Sequence, residues 1–235
     1  MLGMPNILRK SDGLRNAICI RLGEPVWGDS SDPDQWINLL RNEGYTAAYC
    51  PVEVGTDQAT VRSFENPAKK AGIVISEVGA WSNPFSKDEK VRKEAIQKCK
   101  DSMPWIFPDS PDSYLDLIKA IDRKQFGVHL DPVNMISSPR RYYSSGAFIK
   151  ECFDKLGPYI KNCHAKDILL HTNLTVHLDE VLMGTAGLDY KVYLTELSKL
   201  NNVPLMLEHL KTKEEYKQAA SHVRKVGESI GIRFC

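Results

Sequence analysis

Three residues whose side chains can bind a divalent cation follow three successive apolar segments of the chain. They are Asp131 after residues 126–130, His164 after 159–163 and Glu208 after 203–207. The residues are separated by 33 and 44 positions, each about the length of one strand and one helix. One imidazole and two carboxylates suit Mn²⁺, Mg²⁺, Co²⁺ or Zn²⁺ and leave positions open for substrate oxygens. The pattern predicts a metal site with Asp131, His164 and Glu208 as ligands.

Each of these residues also has a purely structural interpretation. An Asp before a proline often only caps the end of a strand, and a single histidine is more often packed in a core or on a surface than bound to a metal. His129 lies two positions before Asp131, on the same face of the strand. It is interpreted either as a further site residue or as a histidine packed in the core. The remaining histidines have no partner pattern and are expected at the surface; they are His171, His177, His209 and His222. The recurrence of ligand-type residues at three strand ends favours the metal site.

Short apolar segments alternate with longer amphipathic segments, a pattern typical of parallel strand and helix units. Strands are predicted at residues 17–22, 46–52, 73–78, 126–130, 159–163 and 203–207. Helices are predicted at about 32–44, 57–71, 87–100, 110–123, 146–156, 189–200 and from 212 onwards. Pro67 is expected to kink or shorten the second helix, and a long loop through Gly184 and Gly187 precedes the sixth. Because parallel strands end at one edge, this arrangement can bring the three candidate ligands together.

The alternation is interrupted once, between two predicted helices. Residues 101–108 contain no strand before the next helix begins at Ser110-Pro111. No linker or change in composition divides the chain elsewhere, which predicts a single domain.

The composition is that of an ordinary globular protein, with 42% hydrophobic and 26% charged residues and a net charge of +1. This balance argues against a global electrostatic attraction to nucleic acid or anionic membranes. No apolar segment approaches the roughly 18 residues of a membrane span, and the first residues lack a secretory pattern, so a cytoplasmic location is expected. Six scattered cysteines without a C-x-x-C pair are expected to be reduced thiols.

Several common catalytic motifs are absent from the sequence. There is no P-loop, dinucleotide fingerprint, H-E-x-x-H or G-x-S-x-G motif. Trp81 and Trp105 fall in predicted loops, where aromatic rings either line a sugar pocket or cover the end of a barrel.

Four segments together resemble the second half of the xylose-isomerase-like sugar isomerase/epimerase superfamily. They are His129-Leu130-Asp131-Pro132-Val133-Asn134, His164-Ala165-Lys166-Asp167, Gly184-Thr185-Ala186-Gly187-Leu188-Asp189-Tyr190 and Leu207-Glu208. The resemblance implies a (β/α)8 barrel with a divalent ion held by Glu, Asp, His and Glu at the ends of strands five to eight. Asp131, His164 and Glu208 correspond to the last three ligands, and the first has no counterpart.

The missing ligand coincides with the interrupted alternation. The resemblance implies that barrel strand four, its helix and strand five are absent between Cys99 and Met103. The expected fold is therefore α/β of the (β/α)8 TIM-barrel type, incomplete, with six recognisable strands. It forms a single domain over residues 1–235, with an internal deletion near 100–103.

The resemblance also implies a function: a metal-dependent isomerase or epimerase of a small sugar or related polyhydroxy carbonyl compound. Its reaction is proton transfer through a metal-stabilised enediolate, with Glu208 as the acid or base. Substrate contacts are expected from Lys166, Asn134, Trp81 and Trp105. The expected partner is a small sugar, without nucleic acid or membrane, and a homo-oligomer is left open.

Two alternatives remain. The missing ligand glutamate makes activity doubtful, so the chain is alternatively a catalytically inactive barrel remnant with a binding or regulatory role. A related branch of the superfamily cleaves abasic DNA with a richer metal site. The near-neutral charge and the few histidines at strand ends argue against that activity.

Overall fold

The computed structural model describes residues 19–53, 56–77, 88–102, 109–124 and 126–235. The strands within these residues are β1 (Cys19–Ile20), β2 (Leu22–Glu24), β3 (Ala47–Tyr49), β4 (Val74–Glu77), β5 (Val128–Leu130), β6 (Ile160–Ala165), β7 (Asp167–Leu170), β8 (Leu178–Val181), β9 (Leu205–Leu207) and β10 (Arg233–Phe234).

Six of these strands form the main sheet, in the spatial order β4-β3-β2-β9-β6-β5. All five pairings in it are parallel. The sheet curls into part of a barrel with β4 and β5 as its edges, and no further strand of it lies in the described residues between Glu77 and Val128. The predicted incomplete TIM barrel with six strands is thus confirmed. The single-domain range of 1–235 and the deletion near 100–103 stay predictions.

Helices follow the strands of this sheet along the chain. They are α1 (Pro33–Asn42), α2 (Gln58–Ala71), α3 (Glu89–Ser102), α4 (Pro111–Ile121), α5 (Pro132–Met135), α6 (Pro139–Tyr143), α7 (Ser145–Leu156), α8 (Tyr190–Ser198) and α9 (Lys213–Ser229), with a 3₁₀ turn at Gly157–Tyr159. Asp32 caps α1 by accepting hydrogen bonds from the amides of Asp34 and Gln35. The expected shortening of the second helix is wrong, because α2 continues past Pro67 to Ala71.

The first predicted strand is divided in two. β2 belongs to the main sheet, whereas β1 pairs separately with β10, near the end of the chain. The division falls at Arg21, whose guanidinium donates hydrogen bonds to the carbonyls of Thr46 and Gly72.

A disulfide joins Cys19 in β1 to Cys235 beside β10. The expectation that all cysteines are reduced is therefore wrong for this pair. Spacing alone could not reveal it, because 216 positions separate the two residues and only the pairing of β1 with β10 makes them neighbours.

The segment predicted as a long loop before α8 contains an antiparallel hairpin. β7 and β8 pair from Asp167↔Val181 to Leu170↔Leu178. The hairpin extends from the carboxyl end of β6 and places polar side chains beside the candidate ligands.

The core lies between the sheet and the helices. Its largest fully buried side chains are Trp36, Tyr193, Leu22, Leu40, Leu130, Ile149, Leu156, Leu194, Leu197, Leu205, Met206 and Leu207. Among the described residues, no helix has both the length and the apolar character needed to cross a membrane.

Candidate metal centre

Asp131 directly follows β5 and caps the short helix α5. Its Oδ1 accepts hydrogen bonds from the amides of Val133 at 3.0 Å and Asn134 at 3.3 Å. Pro132 suits the first helical position because it has no amide hydrogen to satisfy. The structural interpretation of Asp131 as a cap is therefore correct for one oxygen. The other, Oδ2, is buried and points toward His164.

His164 lies in β6 and Glu208 follows β9, and the sheet order places these strands together with β5 as β9-β6-β5. The register pairs Leu130 with Cys163 and Ala165 with Leu207, so the carboxyl ends of the strands coincide. His164 Nδ1 lies 2.8 Å from Glu208 Oε2 and 3.7 Å from Asp131 Oδ2.

Asp131, His164 and Glu208 are thus brought together. One ligand atom from each lies within 4.8 Å of the others, close enough for a single ion. Their role as ligands stays a prediction.

Lys166 occupies the space between the two carboxylates. Its Nζ lies 2.9 Å from Asp131 Oδ2 and 3.0 Å from Glu208 Oε2, and its side chain is only 3% exposed. These contacts have the distance of ion pairs, but both oxygens lack a well-directed hydrogen bond among the described residues. Buried carboxylate oxygens normally have such a partner. Two buried, convergent carboxylate oxygens fit a cation site. In this structure the ammonium of Lys166 lies between them, so a metal ion bound to both oxygens would have to displace it.

The charges of the cluster shift the pKa values of its members. Burial would raise the pKa of Glu208, but the neighbouring His164 and Lys166 lower it to about 2. Burial likewise opposes the ionised form of Asp131, and the same two neighbours hold its pKa below the usual value. Burial would lower the pKa of His164, but Asp131, Glu208 and Glu77 raise it to about 11. At neutral pH both carboxylates are ionised and the imidazole is protonated, so a binding metal must displace the Nδ1 proton.

Glu77, at the carboxyl end of β4, reaches the same imidazole from the opposite edge of the sheet. Its Oε2 lies 3.1 Å from His164 Nε2 and 3.4 Å from His129 Nε2. It also accepts a hydrogen bond from Asn162 Nδ2 at 2.9 Å. Glu77, His129 and His164 form a second group that could hold an ion. The sequence interpretation missed Glu77 as a site residue, although it lies at the end of a predicted strand, as Asp131, His164 and Glu208 do.

His129 is packed against the site. Its ring centroid lies 3.8 Å from that of His164. Burial and the nearby His164 lower the pKa of His129 to about 4, so it is neutral at pH 7. His129 therefore contacts the candidate site residues, and a role in the site stays a prediction.

His209 is exposed, as expected, and it also contacts residues around the site. Its Nδ1 contacts Glu180 Oε2 on β8, and its Nε2 lies 3.6 Å from Glu208 Oε1. Glu180 Oε1 in turn lies 3.2 Å from Lys166 Nζ. These contacts could not be read from the sequence, because the hairpin that carries Glu180 was predicted as a loop.

The four predicted substrate-binding residues differ in where they lie relative to the site. Asn134 is exposed beside the site, and its Oδ1 accepts a hydrogen bond from Lys166 at 3.2 Å. Lys166 itself is enclosed by acceptors. Trp81 and Trp105 lie outside the described residues. Contact of any of the four with a substrate stays a prediction.

Comparisons with known proteins identify the fold. No family model and no curated protein matches the sequence. A xylose isomerase domain protein from Planctomyces limnophilus superposes with a TM-score of 0.63 at 16% identity, covering 91% of this chain and 98% of that one. A xylose isomerase-like TIM barrel protein from Mycobacterium smegmatis, in complex with magnesium, gives 0.55 at 13% identity, covering 91% and 96%. Endonuclease IV from Thermus thermophilus gives 0.53 at 11% identity, covering 89% and 99%.

The chain therefore has the fold of the xylose isomerase-like TIM barrel proteins, as the sequence resemblance predicts. At these identities the likeness shows the fold alone. The chemistry has to be argued from the site.

Proposed function

We propose that this protein is a metal-dependent isomerase or epimerase of a small sugar or related polyhydroxy carbonyl compound. The observation that supports it is the convergence of Asp131, His164 and Glu208, with two buried carboxylate oxygens that lack directed hydrogen bonds. This convergence occurs at the carboxyl ends of parallel strands, the usual place of active sites in this type of fold.

The residues that would hold the ion are Asp131 through Oδ2, Glu208 through Oε2 and His164 through Nδ1. Two carboxylates and one imidazole suit Mn²⁺, Mg²⁺, Co²⁺ or Zn²⁺. When bound, the ion would stabilise the negative charge that develops on a substrate oxygen as the neighbouring carbon loses its proton.

In an isomerisation, Glu208 would take the proton from the carbon next to the carbonyl and return it to the former carbonyl carbon. An epimerisation would need a second acid on the opposite face of the substrate. Its low pKa keeps it ionised at neutral pH, the state that a ligand and a proton acceptor both require. Lys166 would donate hydrogen bonds to substrate oxygens once a bound ion takes over its contacts with the Asp131 and Glu208 carboxylates. Asn134, Trp81 and Trp105 would provide the remaining sugar contacts.

The proposal includes a cytoplasmic location, a sugar as the small-molecule partner and neither nucleic acid nor membrane as partners. A homo-oligomer remains an open alternative to a monomer. The disulfide between Cys19 and Cys235 is an observation against the cytoplasmic part of this proposal, because disulfides rarely persist in a reducing cytoplasm.

A second candidate is a catalytically inactive barrel remnant. The observation that favours it is the sheet itself, which ends at β4 and β5 without closing within the described residues. An unclosed sheet leaves strand edges that can bind a partner.

Solvent exchange distinguishes the two candidates. The protein, loaded with Mn²⁺, Mg²⁺, Co²⁺ or Zn²⁺, is incubated in D₂O with a panel of aldoses, ketoses and their phosphates and followed by ¹H NMR. We expect deuterium to enter next to the carbonyl of at least one sugar, and EDTA or Asp131→Ala to abolish the exchange. Metal binding without exchange across the panel would favour the inactive remnant. Cleavage of abasic duplex DNA would instead support the nuclease alternative.

A further inference from the structure

The imidazole of His164 connects two groups of side chains. Its Nδ1 faces Glu208 at 2.8 Å and Asp131 at 3.7 Å, whereas its Nε2 faces Glu77 at 3.1 Å. A neutral imidazole carries one proton, so the nitrogen that does not bind a cation is an N–H donor. The residue that accepts a hydrogen bond from this N–H then determines which nitrogen of the ring faces the cation.

Glu77 is held as an acceptor for that donor. Asn162 donates to Glu77 Oε2 at 2.9 Å, and the side chain of Glu77 is only 13% exposed. The same oxygen faces His164 Nε2, so the amide of Asn162 fixes the carboxylate in the orientation that a hydrogen bond from His164 requires.

The ring of His164 is also confined from the side. His129 packs against it with an interplanar angle of 59°, and the backbone carbonyl of His164 accepts a hydrogen bond from Tyr193 Oη at 2.7 Å. These contacts fix the strand and limit ring rotation. They do not select which nitrogen carries the proton, and that selection is left to the carboxylates.

We propose that Glu77 is a positioning residue of the metal centre, which accepts the Nε2 proton of His164 and so presents Nδ1 to the ion. The inference rests on the metal site of the proposed function. Nδ1 is the nitrogen beside the two buried oxygens without directed hydrogen bonds, Asp131 Oδ2 and Glu208 Oε2. Metal-bound histidines generally donate their other N–H to such an acceptor, and loss of the acceptor weakens metal affinity by about 10- to 100-fold.

The competing arrangement places the ion on the other side of the ring. Glu77, His129 and the Nε2 of His164 would then be ligands, and Nδ1 would donate to Glu208 or Asp131. In that arrangement Glu77 binds the ion directly. The two arrangements require opposite tautomers of His164, which makes them distinguishable in the wild-type protein.

The first measurement is the tautomer of His164 in the Zn²⁺-bound wild-type protein, by long-range ¹H–¹⁵N correlation NMR. We expect the proton on Nε2. A proton on Nδ1 would overturn the inference and leave the metal site in place. Failure of the wild-type protein to bind Zn²⁺ at all would overturn both the metal site and the inference.

The second measurement compares Zn²⁺ affinities by calorimetry. Glu77→Ala removes the acceptor, whereas Glu77→Gln retains a carbonyl oxygen and loses only the charge. Glu180→Gln is the matched control, because it removes one nearby negative charge from a residue that contacts Lys166 and His209, not His164.

We expect Glu77→Ala to raise the dissociation constant about 10- to 100-fold beyond the control, and Glu77→Gln to remain near the control. Equal values for Glu77→Ala and Glu180→Gln would overturn the inference, because the effect would then be one of charge alone. Since the tautomer is measured without any substitution, the inference remains testable even where Glu77→Ala does not fold.

Discussion

Asp167 organises the loop that follows the hairpin, and its removal is expected to destabilise the protein strongly. Its Oδ1 accepts hydrogen bonds from the amides of Ile168 at 2.8 Å and Leu188 at 2.9 Å. Its Oδ2 accepts from the amides of Gly184 at 2.9 Å and Ala186 at 3.2 Å. The residue is 1% exposed. One buried side chain therefore satisfies three amides from a distant segment and one from its own neighbour.

The expected cost follows from the burial of those amides. In Asp167→Ala, the amide of buried Leu188 loses its acceptor without access to water, at a cost of about 1–3 kcal/mol. Gly184 is exposed and Ala186 half-buried, so water partly replaces their lost hydrogen bonds. We expect the free energy of unfolding to fall by about 2–4 kcal/mol in total.

Urea denaturation followed by circular dichroism measures this loss. Asp189→Ala is the control, because the side chain of this exposed Asp accepts a hydrogen bond from the amide of Val192 at the start of α8 and should cost about 1 kcal/mol. In Asp167→Ala, the rate of amide hydrogen exchange should also increase most at Leu188. A loss in Asp167→Ala no larger than in Asp189→Ala would refute the reasoning.

Three further predictions concern the site and the stability of the fold. Asp131→Ala should raise the Mn²⁺ dissociation constant by more than about 100-fold in calorimetry, since a ligand is lost rather than an orienting group. Burial raises the pKa of Glu24 to about 7 despite the hydrogen bond from Tyr45. Its contribution to stability is therefore complete below the ordinary glutamate pKa of 4.5 and is lost as the pH rises through about 7. Glu24→Gln should remove this decline in denaturation curves. Reducing the bond between Cys19 and Cys235 should lower the unfolding free energy by about 5 kcal/mol in the chain-entropy model, visible as a lower Tm.

Each of these predictions has a contradicting outcome. Unchanged Mn²⁺ affinity in Asp131→Ala would remove that residue from the metal site. If Glu24→Gln and the wild-type protein lose stability in parallel as the pH rises from mildly acidic to mildly alkaline, another group is responsible. An identical Tm with and without reductant would show that the bond between Cys19 and Cys235 does not stabilise the protein by restricting the unfolded chain.

The convergence of the three candidate ligands was predictable because it depends on a local rule. Asp131, His164 and Glu208 each follow an apolar segment, and parallel strands present their carboxyl ends at one edge. Neither the strand order nor exact bounds were needed, only the adjacency of three successive strands. The same rule applied to Glu77 would have found it, but Glu77 lies on β4, four strands away from β6 in the sheet order.

Contacts between side chains on distant strands could not be predicted from the sequence. Glu77 reaches His164 only because the sheet curls, and sheet curvature depends on the sum of many small twists. Likewise, Glu180 and His209 meet only because β7 and β8 form a hairpin, whose polar tip resembles a loop.

The sequence by itself determined the class of fold, the six strands, the interruption after α3 and the three convergent ligand candidates. These depend on periodicity and on strand ends, which are properties of short segments. Only the tertiary structure decided which oxygen of Asp131 faces His164 and Lys166, which nitrogen of His164 meets Glu77 and which cysteines pair. These contacts join side chains from distant positions in the sequence. Patterns within short segments do not predict which distant side chains come together.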